Sequence, residues 1–466
     1  MKNYIIGMEG IFAKFLRPYQ RKVVQTVSRR FSGRALVVLD MGLGKTVIAL
    51  SLAEEALRKR PGRPVVVVCP APLKYNWLAE MRKFGVDAPV HVCRGRRPPR
   101  GIGAAVYICN YEILMSWRDE LRSGRPSLLI CDESQYLKER TAKRTKAAIA
   151  LSRACEECIL LTGTPIENRP VELWTQVGMV DPRLFPNWLR FAKRYNSARH
   201  TPFGWKMGRA SNTDELNSIL LGRCMIRMRK EEVLKELPPL TRQVIPVAID
   251  NRREYAKANA DILGWLGENN PNGLDVERLR RLRMEAQIRV DKLKLISARG
   301  KVAQISEWVN AEAENQKIVL FCFHRDILRR LSETVRNAVV ISQETPAEER
   351  QRAVDRFQKD GSCRVFLTTI RIGGTGFTLT ASSLTVFAQL DWTPSRHWQA
   401  EARVHRIGQT ASRVNAVYFI AKDTIEERIM RIIEQKNGDI TKVIEGEERN
   451  VLTSLIRGMM RDGGGE

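Results

Sequence analysis

The sequence predicts an α/β protein with two lobes, each built on a parallel sheet flanked by helices. Short apolar runs such as RALVVLD (34–40) and SLLICDE (127–133) alternate with segments of helical periodicity such as 46–60. Continuous apolar strands separated by helices are typical of parallel sheets that are covered on both faces. The alternation resumes after residue 317, and a chain of 466 residues is too long for one core, so two or more domains are expected.

Ten strands follow from these apolar runs. In the first lobe they are 34–40, 64–70, 104–110, 127–133 and 158–164, and in the second they are 317–324, 338–342, 364–370, 384–390 and 414–420. A segment rich in aromatic residues and arginine reads as a small helical insertion, and a charged segment after it reads as helices. We therefore expect an N-terminal lobe over 1–240 with a helical insertion at about 183–235, a helical linker over 241–300, a C-terminal lobe over 301–446 and a tail over 447–466.

The charge of the chain narrows its function class. There are 78 Lys and Arg against 52 Asp and Glu, a net charge of +26. Such an excess predicts a polyanionic partner, with nucleic acid ahead of an anionic membrane surface, while a basic solubility surface is the alternative.

The nine cysteines include one CxxC, Cys155 to Cys158, without a second pair, which favours buried thiols and a reducing compartment over a zinc site. Neither a signal peptide nor an apolar run of membrane-spanning length is found, so we expect a cytoplasmic protein, or a nuclear one in a eukaryote.

DMGLGKT (40–46) follows a predicted strand and opens a predicted helix, which is the context of a phosphate loop. Gly42 and Gly44 allow backbone N–H groups to close on phosphate oxygens, Lys45 reaches the β and γ phosphates, and the Thr46 hydroxyl holds Mg²⁺. The expected ATP-binding residues of this loop are Asp40, Met41, Gly42, Leu43, Gly44, Lys45 and Thr46. The strict pattern has a further glycine where this chain has Leu39.

Asp132 and Glu133 stand together at the end of the predicted strand 127–133. In a phosphate-loop ATPase a second strand end carries an acid that helps to hold Mg²⁺, and Asp132 has that position. Glu133 is then placed to orient and deprotonate the attacking water. The alternative is a pair of solvated acids at a helix N-terminus.

The motifs and their order resemble the superfamily-two helicase-like ATPases, and specifically the Swi/Snf-type double-stranded DNA translocases. The resemblance rests on LRPYQ (16–20), DMGLGKT, DESQ (132–135), LTGTP (161–165), GGTGF (373–377) and QAEARVHRIGQ (399–409). It covers the chain from about Leu16 to Lys436. TGTPIENRPVELWTQ (162–176) and RKEEVLKELPP (229–239) resemble the annealing-helicase (HARP-like), fork-remodelling branch.

The resemblance implies two RecA-like lobes that bind ATP and Mg²⁺ and move on duplex DNA without sequence choice. It implies that Gln20 reads adenine, that Gly374 belongs to the nucleotide site and that Gln399, Arg403 and Arg406 act in catalysis from the second lobe together with Glu133 and Lys45. Gln135, Thr162, Thr164 and Arg371 are implied to couple ATP to DNA. The helix 424–436 is expected to brace the lobes through an apolar isoleucine face, with a partner-binding helix as the alternative.

Three departures from the family pattern are visible. Gln135 stands where the family usually has histidine, but it keeps a donor and an acceptor with which it could reach the other lobe. Ala402 replaces an acid in the last motif, which removes a potential partner of the nearby arginines. About fifteen residues precede LRPYQ, so the upstream accessory domains of the annealing branch are expected to be absent.

The expected function is an ATP-dependent translocase on duplex DNA, with branched or forked DNA as an open question. The first alternative is a strand-separating DNA or RNA helicase of the same superfamily. The second is a basic DNA-binding scaffold with a degenerate nucleotide site, which Leu39, Gln135 and Ala402 would favour. DNA contacts are expected at 70–77, 109–112, 163–165, 368–376 and around His324 and Arg325, where Trp77 and Trp392 either stack on bases or pack in the core.

Overall fold

A computed structural model describes residues 14–166, 169–201, 204–208, 210–268, 276–373, 376–431 and 433. The chain forms two compact units. Of the described residues, those up to Arg199 and Trp205–Lys235 belong to the first, while His200, Thr201, Gly204 and those from Glu236 onward belong to the second. Each unit contains one parallel sheet, as the sequence predicts.

The first unit is built on a seven-stranded parallel sheet of order β3-β4-β2-β5-β6-β1-β9. Its strands are β1 (Arg34–Leu39), β2 (Val65–Cys69), β3 (Val90–Val92), β4 (Val106–Asn110), β5 (Leu128–Asp132), β6 (Glu157–Thr162) and β9 (Met225–Met228). The sheet is covered by α1 (Pro18–Gln25), α2 (Lys45–Lys59), α3 (Lys74–Lys83), α4 (Leu114–Ser123), α5 (Lys143–Ala154), α6 (Leu173–Val180), α7 (Trp188–Asn196), α8 (Thr213–Arg223) and α9 (Lys230–Val233). A separate two-stranded ribbon consists of β7 (Arg199–Thr201) and β8 (Gly204–Lys206).

The five central strands of this sheet are buried on both faces. Neighbouring residues such as Val37 and Val38 are at most 1% exposed although they point to opposite sides. This double burial is why the strands are continuous apolar runs, and it confirms the five strands that the sequence predicts for the first lobe. The predicted insertion at 183–235 contains α7 and α8 but also β9, which pairs with β1 and so belongs to the main sheet.

The second unit is built on a six-stranded parallel sheet of order β10-β15-β14-β11-β13-β12. Its strands are β10 (Leu240–Val247), β11 (Ile318–Cys322), β12 (Ala338–Ile341), β13 (Val365–Thr369), β14 (Leu384–Phe387) and β15 (Val414–Ala421). Its helices are α10 (Arg252–Glu268), α11 (Val276–Arg299), α12 (Val302–Ala313), α13 (Arg325–Thr334), α14 (Ala347–Lys359), α15 (Ile370–Gly373) and α16 (Pro394–Glu401), followed by a helix that begins at 425.

The segment 241–300, expected to be a helical linker, is part of the second unit. β10 pairs with β15 along eight residues, and α10 and α11 contribute Tyr255, Val290 and Leu293 to the same core as the sheet. β10 is an edge strand and most of its side chains are exposed, so its sequence lacks an apolar run and contains Pro246. The exact domain limits 1–240, 241–300, 301–446 and 447–466 stay predictions.

The apolar face predicted for the C-terminal helix is buried in the second unit. Ile425, Ile429 and Ile433 are at most 4% exposed and belong to the core around β11 and β15. This burial favours the bracing role within that unit over a partner-binding face. Three parts of the prediction lie outside the described residues: Ile432, the last three residues of the predicted helix (434–436) and the tail 447–466.

Candidate nucleotide-binding site

The loop between β1 and α2 has the backbone geometry of a phosphate loop. Gly42 and Gly44 adopt φ values of +88° and +73°, which favour glycine. Gly44 is the residue before the first turn of α2, and the N–H groups of that turn have no acceptor within the helix. Lys45 Nζ donates to the carbonyl oxygens of Leu39 at 2.8 Å and Asp40 at 3.4 Å, which folds the ammonium back over the end of β1. The arrangement suits a polyphosphate bound at a helix N-terminus.

Gln20 is hydrogen-bonded directly to this loop. Its Nε2 donates to Leu43 O at 3.1 Å, while its Oε1 accepts from Arg17 N at 2.8 Å. Tyr19 Oη donates to the same Leu43 oxygen at 3.0 Å. The Gln20 amide is thus oriented by the backbone and is 4% exposed. Nε2 also donates to Tyr19 Oη at 3.4 Å, so the lone pair that remains on Oε1 is what the amide offers a nucleobase.

The other residues of DMGLGKT have structural contacts. Asp40 Oδ2 accepts from Lys230 N at 3.0 Å, so the first residue of α9 anchors the loop. Leu43 is fully buried, and Met41 packs against Gly163, since a Cβ on that glycine would lie 3.0 Å from Met41 Cε. These contacts hold the loop from both sides and leave its backbone to face a ligand.

Asp132 and Glu133 meet the loop at the end of β5. Asp132 Oδ2 accepts from Trp77 Nε1 at 2.9 Å and Oδ1 accepts from Glu133 N at 3.0 Å. Burial, followed by the neighbouring Glu133 carboxylate, raises the pKa of Asp132 to about 6, although the Trp77 bond and the Lys45 charge oppose this rise. A buried carboxylate of this kind is stabilised by a cation.

The residues present fit Mg²⁺ held through few protein ligands. Asp132 supplies a carboxylate and Thr46, in the first turn of α2, supplies a hydroxyl, and a nucleotide-bound Mg²⁺ takes its remaining ligands from phosphates and water. Within the described residues no group of three or more His, Cys, Asp or Glu is arranged to hold a metal by itself. All nine cysteines are buried and none forms a disulfide, so the predicted burial of Cys155 and Cys158 is confirmed.

A chain of hydrogen bonds links Glu133 to the loop after β6. Gln135 Nε2 donates to Glu133 Oε2 at 2.8 Å, and Thr162 Oγ1 donates to Gln135 Oε1 at 2.8 Å. Thr162 Oγ1 in turn accepts from Thr164 N at 2.9 Å. Both polar groups of the Gln135 amide therefore have a partner within the first unit, and a bond from Gln135 to the other lobe stays a prediction. We call these four residues the Glu133–Thr164 path.

Gln176 is a site residue that sequence reasoning missed. It is fully buried on α6, its Oε1 accepts from Ser134 Oγ at 2.8 Å, and its Nε2 donates to Pro165 O at 2.8 Å. It thus joins the DESQ and LTGTP segments a second time, beside the Glu133–Thr164 path. The available signal was a glutamine within the apolar helix LWTQVGMV, because a buried amide must find partners.

Three predicted residues of the second unit lie in the last turn of α16 or just after it: Gln399, Arg403 and Arg406. Arg403 Nε donates to Gln399 O at 3.1 Å and Arg406 Nη1 donates to Phe377 O at 3.2 Å. Ala402 is 5% exposed, so an acid at this position would be buried. Arg371 is exposed on α15, and Gly374 lies outside the described residues.

The acid beside Ala402 is already paired. Glu401 is 2% exposed and accepts two bonds from Arg242, each 2.7 Å long, and one from Tyr418 Oη at 2.8 Å. It therefore orients β10 and β15 and leaves Arg403 and Arg406 to other partners.

Several residues expected near DNA have structural partners. In 109–112, Tyr111 is 1% exposed and donates to Asp132 O at 2.7 Å, so it supports the strand end. Trp77 is buried against Asp132, and Trp392 Nε1 donates to Asp291 Oδ1 at 3.1 Å. His324 is held by Gln389, and burial lowers its pKa to about 4. These contacts favour the core role of both tryptophans.

Two parallel α/β units with a phosphate-type loop define a helicase-like ATPase fold. The family described as the SNF2-related domain matches residues 19–266, and the helicase conserved C-terminal domain matches residues 300–408. The chain belongs to the SNF2-related family. Among the helices of the described ranges, none combines the length and apolar character needed to cross a membrane.

Two curated relatives are similar to most of this chain. The mouse "DNA annealing helicase and endonuclease ZRANB3" is 33% identical over 90% of this chain and 40% of its own length. The Caenorhabditis elegans homologue of "SWI/SNF-related matrix-associated actin-dependent regulator of chromatin subfamily A-like protein 1" is 32% identical over 92% of this chain and 62% of its own length. The chain thus spans about half the length of these relatives. The Sulfolobus solfataricus SWI2/SNF2 ATPase core, solved in complex with dsDNA, is 24% identical with a TM-score of 0.45 and 91% coverage of each chain.

Proposed function

We propose that the protein is an ATP-dependent translocase on duplex DNA. The observation that carries the proposal is the Glu133–Thr164 path, which connects the acid beside the phosphate loop to the loop after β6 through three bonds of 2.8–2.9 Å. In this family that loop is expected to respond to DNA. A change on one side of the path alters the hydrogen bonding on the other, which is what coupling of hydrolysis to movement needs. Membership of the SNF2-related family and the charge of +26 support the proposal.

The first unit supplies the nucleotide site in this proposal. Gly42, Gly44 and Lys45 hold the phosphates of ATP, Gln20 contacts its base, and Thr46 and Asp132 hold Mg²⁺. Bound Mg²⁺ neutralises phosphate charge and favours transfer of the γ-phosphoryl group. Glu133 orients the attacking water and accepts its proton, because it lies beside the metal ligand Asp132 and is held by Gln135 Nε2.

The second unit supplies positive charge. We propose that Arg403 and Arg406 stabilise the phosphoryl group during transfer and that Gln399, whose carbonyl accepts from Arg403, positions that arginine. Arg371 is exposed on α15 and is proposed to contact a DNA phosphate.

The DNA substrate is proposed to be duplex, with forks and branches as further substrates that the resemblance to the fork-remodelling branch implies. Rearrangement or annealing of DNA, rather than strand separation, is the proposed outcome. The protein then resides with its DNA, in the cytoplasm of a bacterial, archaeal or phage-infected cell or in the nucleus of a eukaryotic one.

The test is ATP hydrolysis by the wild type and by Glu133→Gln without DNA and with single-stranded, duplex and forked DNA. We expect duplex DNA to stimulate hydrolysis and the substitution to lower kcat at least about 100-fold. Nucleotide binding by the variant should be retained, because Gln preserves the size of the side chain. Hydrolysis that is indifferent to DNA would contradict the translocase, and full activity of Glu133→Gln would remove Glu133 from the catalytic step.

A further inference from the structure

A cavity of about 500 Å³ lies at the edge of the first sheet, beside the short strand β3. Its wall includes His91 and Tyr107, whose rings stack at 5.2 Å with an interplanar angle of 24°, and Trp117 from α4. Five strand spacings separate β3 from β1 in the sheet order, which is about 24 Å at the usual spacing. The cavity is therefore distinct from the phosphate loop.

The loop over this cavity, residues 94–100 (RGRRPPR), carries four arginines and no acid. All four arginines are exposed. Arg96, Arg97 and Arg100 make no hydrogen bond or ion pair with any residue that the structure describes, whereas exposed arginines such as Arg329 pair with acids. Unpaired arginines on one short loop attract a polyanion.

The basic loop is fixed at Gly95 and by Gly101 and Gly103, which directly follow it in the chain. Trp117 Nε1 donates to Gly95 O at 3.0 Å and Gly103 N donates to Tyr107 Oη at 3.1 Å. Gly101 N donates to Glu120 Oε1 at 3.0 Å, so this carboxylate holds the backbone next to the loop. A loop that is fixed in this way loses little conformational entropy when its arginines bind.

The cavity wall offers a planar aromatic surface and unused polar groups. His91 is exposed and its ring nitrogens make no hydrogen bond to a described residue, and the Tyr107 hydroxyl, which accepts from Gly103, keeps its own hydrogen to donate. A nucleobase presents both a flat face for stacking and polar edges for hydrogen bonds. The cavity volume falls in the range of sites that bury a small ligand.

We propose that this edge of the first unit is a second nucleic-acid site, which binds a single strand with its phosphates on the 94–100 loop and a base in the cavity. The site is additional to the duplex site of the proposed function, and it would let the protein hold one strand while the duplex is engaged. Recognition is through phosphate charge and base stacking, so it does not depend on sequence.

The test measures binding of labelled oligothymidylate to protein that is already saturated with unlabelled duplex DNA. An oligonucleotide of equal length made of abasic linkers carries the same phosphates without bases. We expect the wild type to bind both, with about tenfold preference for the strand with bases. Arg96→Glu with Arg97→Glu should weaken both and make the dependence of log affinity on log salt shallower by about 1.4, since each phosphate contact contributes about 0.7.

A matched pair of variants distinguishes binding at this site from a general effect of the protein's net charge. Arg58→Glu with Arg153→Glu makes the same charge change on exposed helical positions of the same unit and should bind as the wild type does. His91→Ala should remove the preference for bases and leave binding of the abasic strand unchanged.

The proposal would be overturned if duplex DNA, or an acidic peptide alone, displaced the single strand. It would also be overturned if both arginine pairs lost affinity equally, or if the wild type bound both oligonucleotides equally. Duplex-stimulated ATP hydrolysis should be retained by every variant. Its absence in the wild type would contradict the proposed function without deciding this site.

Discussion

Asp132→Asn gives a pH-dependent change in stability whose size follows from the site. Burial beside Glu133 raises the pKa of Asp132 from 3.8 to about 6. At about 1.4 kcal/mol for each pH unit between folded and unfolded pKa values, the ionised carboxylate costs the folded state roughly 3 kcal/mol at about pH 8. A raised folded pKa means that the wild type is relatively more stable below about pH 4 and loses this contribution as the pH rises through about 6. Asparagine cannot ionise, so the variant lacks this dependence.

The assay is calorimetric unfolding of wild type and Asp132→Asn between about pH 4 and pH 8, without nucleotide or Mg²⁺. We expect the melting temperature of the variant, relative to that of the wild type, to rise by about 6–12 °C across this range for the first unit. A constant offset, such as that from the altered bond to Trp77, does not affect this trend. Mg²⁺ with a nucleotide should stabilise the wild type at about pH 8 and have little effect on the variant. A difference that stays constant with pH would refute the reasoning.

Three further predictions concern separate parts of the chain. Gln135→Ala interrupts the Glu133–Thr164 path, so kcat of DNA-stimulated hydrolysis should fall at least about tenfold with KM for ATP unchanged, and a change confined to KM would argue against coupling through this residue. Gly44→Ala should abolish ATP binding measured by titration calorimetry, because φ is +73° and the added Cβ would lie 2.4 Å from Gln20 Nε2; wild-type affinity would contradict this. Lys301→Met leaves the buried Glu426 without its cation and should lower the free energy of unfolding by about 3–5 kcal/mol in calorimetry, with partial recovery when Glu426→Gln is added, whereas a loss below about 1 kcal/mol would disprove the role of the pair.

The features that the sequence predicted are those that local chemistry determines. A strand buried on both faces must be an apolar run, and a loop with φ values near +80° needs glycine. For this reason β1, the phosphate loop and α2 can be predicted from consecutive residues. The acids at the end of β5 can be predicted for the same reason, since a polar pair that closes an apolar strand marks its carboxyl end.

The features that were missed depend on neighbours that are distant in sequence. The partners of Gln135 follow from the pairing of β5 with β6, in which Asp132 lies opposite Leu161, and no local pattern reports that register. Gln176 is 42 residues from Ser134 in the chain and bonds to it only because α6 packs close to the end of β5. The strands β9 and β10 lack uninterrupted apolar character, since β9 ends in partly exposed residues and β10 lies at a sheet edge.

The central claim is that hydrolysis moves the protein along intact duplex DNA. The most direct measurement is ATP-dependent displacement of a labelled triplex-forming strand from a long duplex, with Glu133→Gln as the matched control. We predict release of the third strand by the wild type without separation of the duplex, and no release by the variant or without ATP. ATP hydrolysis that leaves the third strand in place, or that separates the two strands of the duplex, would contradict the account.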